Sequence, residues 1–365
     1  MLWYVYKHVG NNHMIDSTPK TIIGLDGRIL FYHLEHFKRD IVQNGYCFIC
    51  GARPDEKEFN DEHILPDWIL KKFKLYNHKI TLPNGIKTSY AKYKVPCCSD
   101  CNSELGLLYE DPIRNLISQP YNEFAKELNS SQEKIDLLFK WLALIYFKTH
   151  LKDLSLRENL DLRKPDLKIG DRYFWEDFHH IHCLVRTHHT GAKIEPEVYG
   201  SILINQIVDN KDEFSFDYID NPWTKSVFLQ LGDIGIASVL DDSTAASSMY
   251  QEQISLINQG ISIFQFYEIF AHFNFIRLHL KERPIFQSKI NGNSEYKISC
   301  VRPEKLQLVD ENERIGNFGN FLKSYIERAF HDLPDGQEIL DKIENGEWSF
   351  LWDENGQFID IKRLE

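Results

Sequence analysis

Glu62 and His63 stand side by side between two C-x-x-C pairs, Cys47-x-x-Cys50 and Cys98-x-x-Cys101, in a chain with seven cysteines. Four thiolates in that pattern suit one tetrahedral Zn2+, and an ion held in this way contributes folding free energy directly. Forty-seven residues separate Cys50 from Cys98, so the ion would join the two ends of a module instead of capping one turn. Cys97 is an alternative to Cys98. The pair between the cysteines has its own chemistry. An imidazole with an ordinary pKa of roughly 6.5 can take a proton from water near pH 7. Carboxylate and amide oxygens suit hard divalent ions. A base and a cation together meet the needs of phosphodiester hydrolysis.

Position limits how these groups can meet. Neighbouring residues of a strand face opposite ways, so Glu62 and His63 can share a site only where a strand ends, and Pro66 helps to end it. Asn102, Gly106 and Glu110 follow at i, i+4 and i+8, one broad helical face on which Gly106 leaves room for a phosphate or a metal. Between them, Lys71, Lys72, Lys74, Lys79, Lys87, Lys92 and Lys94 form a stretch without Asp or Glu. Such a run is either a solvated basic face or a phosphate-binding one, and its place inside the module favours the second.

This combination of C-x-x-C, Glu62-His63-Ile64-Leu65-Pro66, Trp68 and then C-x-x-C-Asn102 with Glu110 eight residues on resembles the HNH endonuclease family. Within it, the chain is similar to the subset written E-H-(I/V)-x-P-x-W-L. The resemblance covers about a fifth of the chain. It implies a zinc-braced ββα-metal (His-Me finger) fold, with structural Zn2+ on Cys47, Cys50, Cys98 and Cys101 and His63 as general base. It also implies Mg2+ or Mn2+ on Glu62 and Asn102, with Glu110 as a further ligand or else a surface ion-pair partner. Two positions depart from the pattern. Ile69 follows Trp68 where Leu is usual, and Tyr93 stands where the family places its middle Asn, which steadies the histidine loop. Asn84 is better read as the turn residue of Asn84-Gly85.

The elements that must position these groups can be read more coarsely. The segment 46–118 is expected to be the nuclease domain, preceded by a lead-in over 1–45 and followed by a larger α+β domain over 119–365 that would recognise a target or sense a ligand. "LPDWILKKF" reads as a short helix after Pro66, "KITLPNGIKTSYAKYKV" as a hairpin turning at Asn84-Gly85, and a helix starts near Cys98. "ILFYHLEHFKRDIVQNG", "SQEKIDLLFKWLALIYFKTHL", "ISIFQFYEIFAHFNFIRLHL" and "IGNFGNFLKSYIERAFHDL" have helical spacing. "IHCLVRT", "VYGSILINQIV", "SVFLQLG" and "IGIASVLDD" read as strands. "PIFQSKINGNSEYKISCV" is a strand pair turning at "NGN", and "EWSFLWDENGQFIDI" a closing hairpin.

With 365 residues, 42% of them apolar, the chain can bury a sizeable core. Its net charge of −12 excludes a protein coated in basic surface, so contact with nucleic acid must be local. No secretory leader or ~20-residue apolar span is recognisable, which points to a cytoplasmic protein whose thiols bind metal and do not form disulfides. The histidines around Cys183 (His179, His180, His182, His188, His189) lack a ligand pattern. Tyr173, Phe174, Trp175 and Phe178 are read as core before base-stacking groups. P-loop, dinucleotide and serine-hydrolase motifs are absent. DNA is the expected substrate before RNA, in restriction or phage defence. A non-catalytic zinc-knuckle binding module, or a nuclease awakened by a ligand or partner of its second domain, are the alternatives, and that domain is also a candidate for homo-oligomer contacts.

Overall fold

The computed structural model describes residues 3–7, 21–208, 215–293, 295–331 and 333–360. The architecture is mixed helix and sheet, the expected α+β class. Two compact units divide the chain: Met1–Val198 with Ile285–Val301, and Tyr199–Pro284 with Arg302–Glu365. The division expected after residue 118 therefore falls inside the first unit. The reason is the helix Gln132–Asp153, where nearly every residue from Leu138 to Leu151 is buried. A helix apolar on all sides must be surrounded by other elements, and this one touches the strand Lys94–Cys98 and the helices on either side of it in sequence.

In the first unit, the strand Phe59–His63 pairs antiparallel with Lys94–Cys98, and the helix Ser99–Leu105 follows at once. Between the strands lie the short helix Asp67–Lys72 after Pro66 and the hairpin Lys79–Thr81 with Lys87–Ser89. The hairpin turns at Asn84-Gly85, with Gly85 at φ +79°. A left-handed residue is what such a turn asks of glycine. A separate sheet is ordered Trp3–Lys7, Ile285–Asn291, Tyr296–Val301, Lys193–Ile194, antiparallel except for the last pairing. Of the expected lead-in helix, Ile29–Phe31 is a strand, and helix begins only at Leu34, widening into a π-turn over Phe37–Gln43. Residues 8–20 of that lead-in lie outside the described residues.

The second unit is a four-stranded antiparallel sheet ordered Phe216–Asn221, Ser226–Leu231, Ile234–Val239, Ile202–Gln206. Both central strands are buried at every position, which is why they read as unbroken apolar runs. The helix Ile263–Leu278 and the helices Phe318–Phe330 and Gly336–Glu344 share one core with them, around Phe228, Phe266, Phe270 and Leu322. At Gly235 a side chain would meet the Phe266 ring at 2.7 Å. The expected closing hairpin reduces to a single antiparallel bridge, Trp352 with Phe358.

One element is of the other type. "IHCLVRT" is not a strand; His179–Val185 is a helix with all seven residues buried. A short continuous apolar run has no period that separates strand from helix, and burial on every side allowed either. His179 Nε2 meets the Tyr32 carbonyl at 2.8 Å, His182 Nε2 the Phe48 carbonyl at 3.0 Å and His188 Nδ1 the Tyr109 hydroxyl at 3.2 Å. His180 stacks on Phe286 with ring centroids 3.7 Å apart.

Burial pushes His179 down to about 4, against the Tyr32 carbonyl, which favours the protonated ring. The folded protein thus holds a neutral ring that the unfolded chain would protonate below about 6.5. Its contribution to stability is complete above that pH and is lost as the pH falls toward 4, about 2 kcal/mol of it between pH 7.5 and pH 5. Urea unfolding at those two pH values is expected to show a smaller acid loss for His179→Gln than for the native chain. Equal losses would remove His179 from the account.

Candidate functional site

The sulfurs of Cys47, Cys50, Cys98 and Cys101 all lie within 4.8 Å of one another. Cys50 and Cys98 Sγ are 3.6 Å apart, close to the ~3.8 Å edge of a tetrahedron with Zn–S bonds of about 2.3 Å. All seven cysteines are free thiols. The donor set fits a metal ion such as zinc. Among the described residues, it is the one group of three or more Cys, His, Asp or Glu side chains gathered in this way. Cys97, the alternative to Cys98, is buried with its sulfur 3.9 Å from that of Cys47, outside the group of four. Hydrogen bonds from Cys101, Cys50 and Cys97 hold Cys47 far below the usual thiol range. The neighbouring Cys47 and burial raise the thiols of Cys50 and Cys101 in turn, so the metal-free cluster favours one thiolate among neutral thiols and four thiolates require a metal's pull.

Local backbone makes this geometry. The first knuckle is a tight turn in which Gly51 N–H donates to the Cys47 carbonyl and Cys47 N–H to that of Ala52. Gly51 sits at φ +80°, and a side chain there would meet the Tyr32 hydroxyl at 1.9 Å. Gly51→Ala is expected to lower the melting temperature by about 5 °C or more and to weaken zinc retention against a chelating dye, since both the φ and the space forbid a methyl group. An unchanged melt and zinc content would contradict it. The second knuckle uses Cys98 as the extended residue before the helix Ser99–Leu105 and Cys101 in its first turn. Arg186, buried on the Tyr32 ring, donates to the carbonyls of Ile49 and Ile29 at 2.5 Å each and ties the first knuckle to the helical core.

His63 is the last residue of its strand and lies opposite Lys94, so the strand does end where the pair needs it to. The chain continues with Ile64 N–H donating to the carbonyl of Tyr93, the residue in the middle-Asn place. The His63 ring is half-buried, and burial, then Lys94, lowers its pKa below the usual value. A neutral ring at pH 7 is the protonation state a general base needs. Glu62 points the other way and is 6% exposed. Its Oε1 lies 2.5 Å from the Lys148 ammonium, which also donates to the His63 carbonyl at 2.6 Å. Lys148 is fully buried on the helix Gln132–Asp153.

The helix Ser99–Leu105 opens into a π-turn over Gly106–Glu110. This wider turn changes the phase of the i, i+4, i+8 face, and such turns recur at functional sites. Beyond Gly106 there is open space where a side chain would stand. Glu110 comes to Glu62; burial, with Glu62 beside it, lifts its carboxyl to about 7, while Lys148 pulls the other way. Asn102 goes elsewhere, its amide nitrogen donating to Asn60 Oδ1 at 2.7 Å. Glu62 and Glu110 are thus brought together, but around a lysine. Of the trio Glu62, Asn102 and Glu110, Glu62 is engaged by Lys148, while Asn102 spends its amide nitrogen, not its side-chain oxygen, on Asn60.

Of the seven lysines, Lys71, Lys72, Lys74, Lys79, Lys87 and Lys92 are exposed and Lys94 is half-buried. Lys71 pairs with Asp67 one turn earlier at 2.5 Å, a contact worth little at the surface. Trp175 and Phe178 are buried, as core residues should be, while Phe174 is exposed. Lys148 escaped sequence reasoning. Its signal was a cation directly after the apolar run Trp141–Phe147, where a buried charge requires a partner.

The chain matches no protein-family model, and neither curated proteins nor solved structures show a similar chain. Among the described residues, no helix is long and apolar enough to cross a membrane.

Proposed function

We propose that the segment 46–118 is a zinc-braced HNH-type phosphodiesterase acting on DNA, with His63 as the general base. One observation carries the reading: a strand ending at His63, its antiparallel partner and the helix that follows are closed by four gathered cysteines. In this reading His63 accepts the proton of the attacking water while the exposed lysines of 71–92 and Lys94 hold the nucleic-acid backbone. The family resemblance adds Mg2+ or Mn2+ on Glu62, Asn102 and Glu110, which would neutralise the phosphate. The substrate would meet a reducing cytoplasm, where thiolates persist, and a role in restriction or phage defence rests on analogy alone.

The test is incubation of zinc-loaded protein with plasmid DNA and with RNA, each with and without Mg2+ or Mn2+. Cleavage of DNA supports the reading; bound but intact nucleic acid under every condition overturns it. A second reading, a non-catalytic zinc-knuckle binding module, is favoured by the Lys148 contact that occupies Glu62. Cleavage only after a ligand or partner is supplied would instead identify a nuclease held silent through the rest of the chain.

A further inference from the structure

We propose that Lys148 is the resident cation of this site: its ammonium positions the Glu62-His63 corner and stands where the family resemblance calls for a divalent ion. The argument begins with burial. An ammonium taken out of water is costly unless charge and hydrogen bonds compensate it. Here both come from two consecutive residues, the Glu62 carboxylate at 2.5 Å and the His63 carbonyl at 2.6 Å. The second bond is the informative one. A buried ammonium with three N–H groups needs acceptors beyond one carboxylate, and here the main chain of the proposed base supplies one. By holding that carbonyl, Lys148 fixes the end of the strand from which the imidazole projects. It performs the loop-steadying task that Tyr93, in the middle-Asn place, leaves to another group.

The same geometry governs cations. A divalent ion on Glu62 would lie within a few ångströms of a fixed positive charge, and like charges at that range in a buried site repel strongly. Glu110 does not restore the balance, because it lies beside Glu62 and draws on the same ammonium. The lysine comes from the helix Gln132–Asp153, beyond the cysteine-bounded segment, so that segment is incomplete without it.

The inference rests on the phosphodiesterase reading only for its catalytic half, and the experiment separates the two. Zinc-loaded native protein, Glu62→Gln, Lys148→Met and the double variant are titrated with Mn2+ and followed by the electron-paramagnetic signal of the free ion. Native protein is expected to show no Glu62-dependent Mn2+ site up to about 1 mM, and Lys148→Met to bind at least about tenfold more tightly. A stoichiometric Mn2+ site in the native protein that Glu62→Gln abolishes overturns the proposal, whether or not the protein cuts DNA. Should Lys148→Met fail to fold, the native and Glu62→Gln titrations still decide. The double variant, which leaves neither charge alone, is expected to regain stability. If the protein does cut, Lys148→Met is expected to lower kcat about 100-fold with KM within about twofold, the mark of lost positioning and not of lost substrate binding. An unchanged kcat would reject the positioning role.

Discussion

Cys101→Ser is expected to lose stoichiometric zinc and to lower the melting temperature of the protein by about 10 °C or more. The pairing of Phe59–His63 with Lys94–Cys98 has five residues a side, and an isolated two-stranded pairing of that length is marginal in water. What holds its ends is the cysteine cluster, in which the turn at residues 47–51 meets the start of the helix Ser99–Leu105. Structural zinc sites bind with an apparent free energy on the order of 10–16 kcal/mol near pH 7, and that binding is coupled to folding. Replacing one thiolate forfeits several kcal/mol of it. Zinc-to-protein ratio by elemental analysis, beside the thermal melt, reads the outcome. A variant that still carries one zinc per chain and melts as the native protein does would show that the four sulfurs do not share an ion. Cys97→Ser is the contrast, because its sulfur lies outside the group of four; it is expected to leave the zinc ratio at one.

The second large effect is on chemistry. His63→Ala is expected to slow DNA cleavage about 1,000-fold while zinc content and the melting curve stay near native, since a positioned base contributes on the order of 10²–10⁴. His63 is half-buried at a strand end, so truncation should cost less than about 1 kcal/mol of stability. Initial rates of plasmid nicking, compared with binding by gel shift, separate lost chemistry from lost affinity. Cleavage at the native rate would take His63 out of the mechanism. Glu62→Gln should behave differently, because Glu62 is the partner of a fully buried ammonium. It leaves Lys148 without its counter-charge, a change that costs about 3–5 kcal/mol. A loss of stability as well as activity in Glu62→Gln, against a loss of activity alone in His63→Ala, would mirror the opposite directions in which these neighbours point.

Much of the local structure was legible because it is written in local chemistry. Asn84-Gly85 marks a turn since glycine tolerates positive φ, Pro66 marks a helix start since its nitrogen has no hydrogen to donate, and the long helices show apolar spacing. Fully buried runs were less legible. "IHCLVRT" and the strands of the second unit are equally apolar, and whether such a run coils or extends depends on what surrounds it. The place of the domain division was illegible for a related reason: the helix Gln132–Asp153 belongs with residues far before it, and a buried ion pair across 86 positions leaves no local trace.

At the candidate site the two sources of information divide along the same line. The amino-acid sequence alone determined the two C-x-x-C pairs, the strand end that carries His63, and the glycine at each turn, because those depend on residue type and on spacing over a few positions, while the choice of Cys98 over Cys97 came from the fold. Only the tertiary structure decided which cation meets Glu62, that Asn102 turns to Asn60, and that the five-residue turn Gly106–Glu110 brings Glu110 inward. Those outcomes follow from burial, and burial is set by every element that surrounds a side chain, not by its neighbours in the chain.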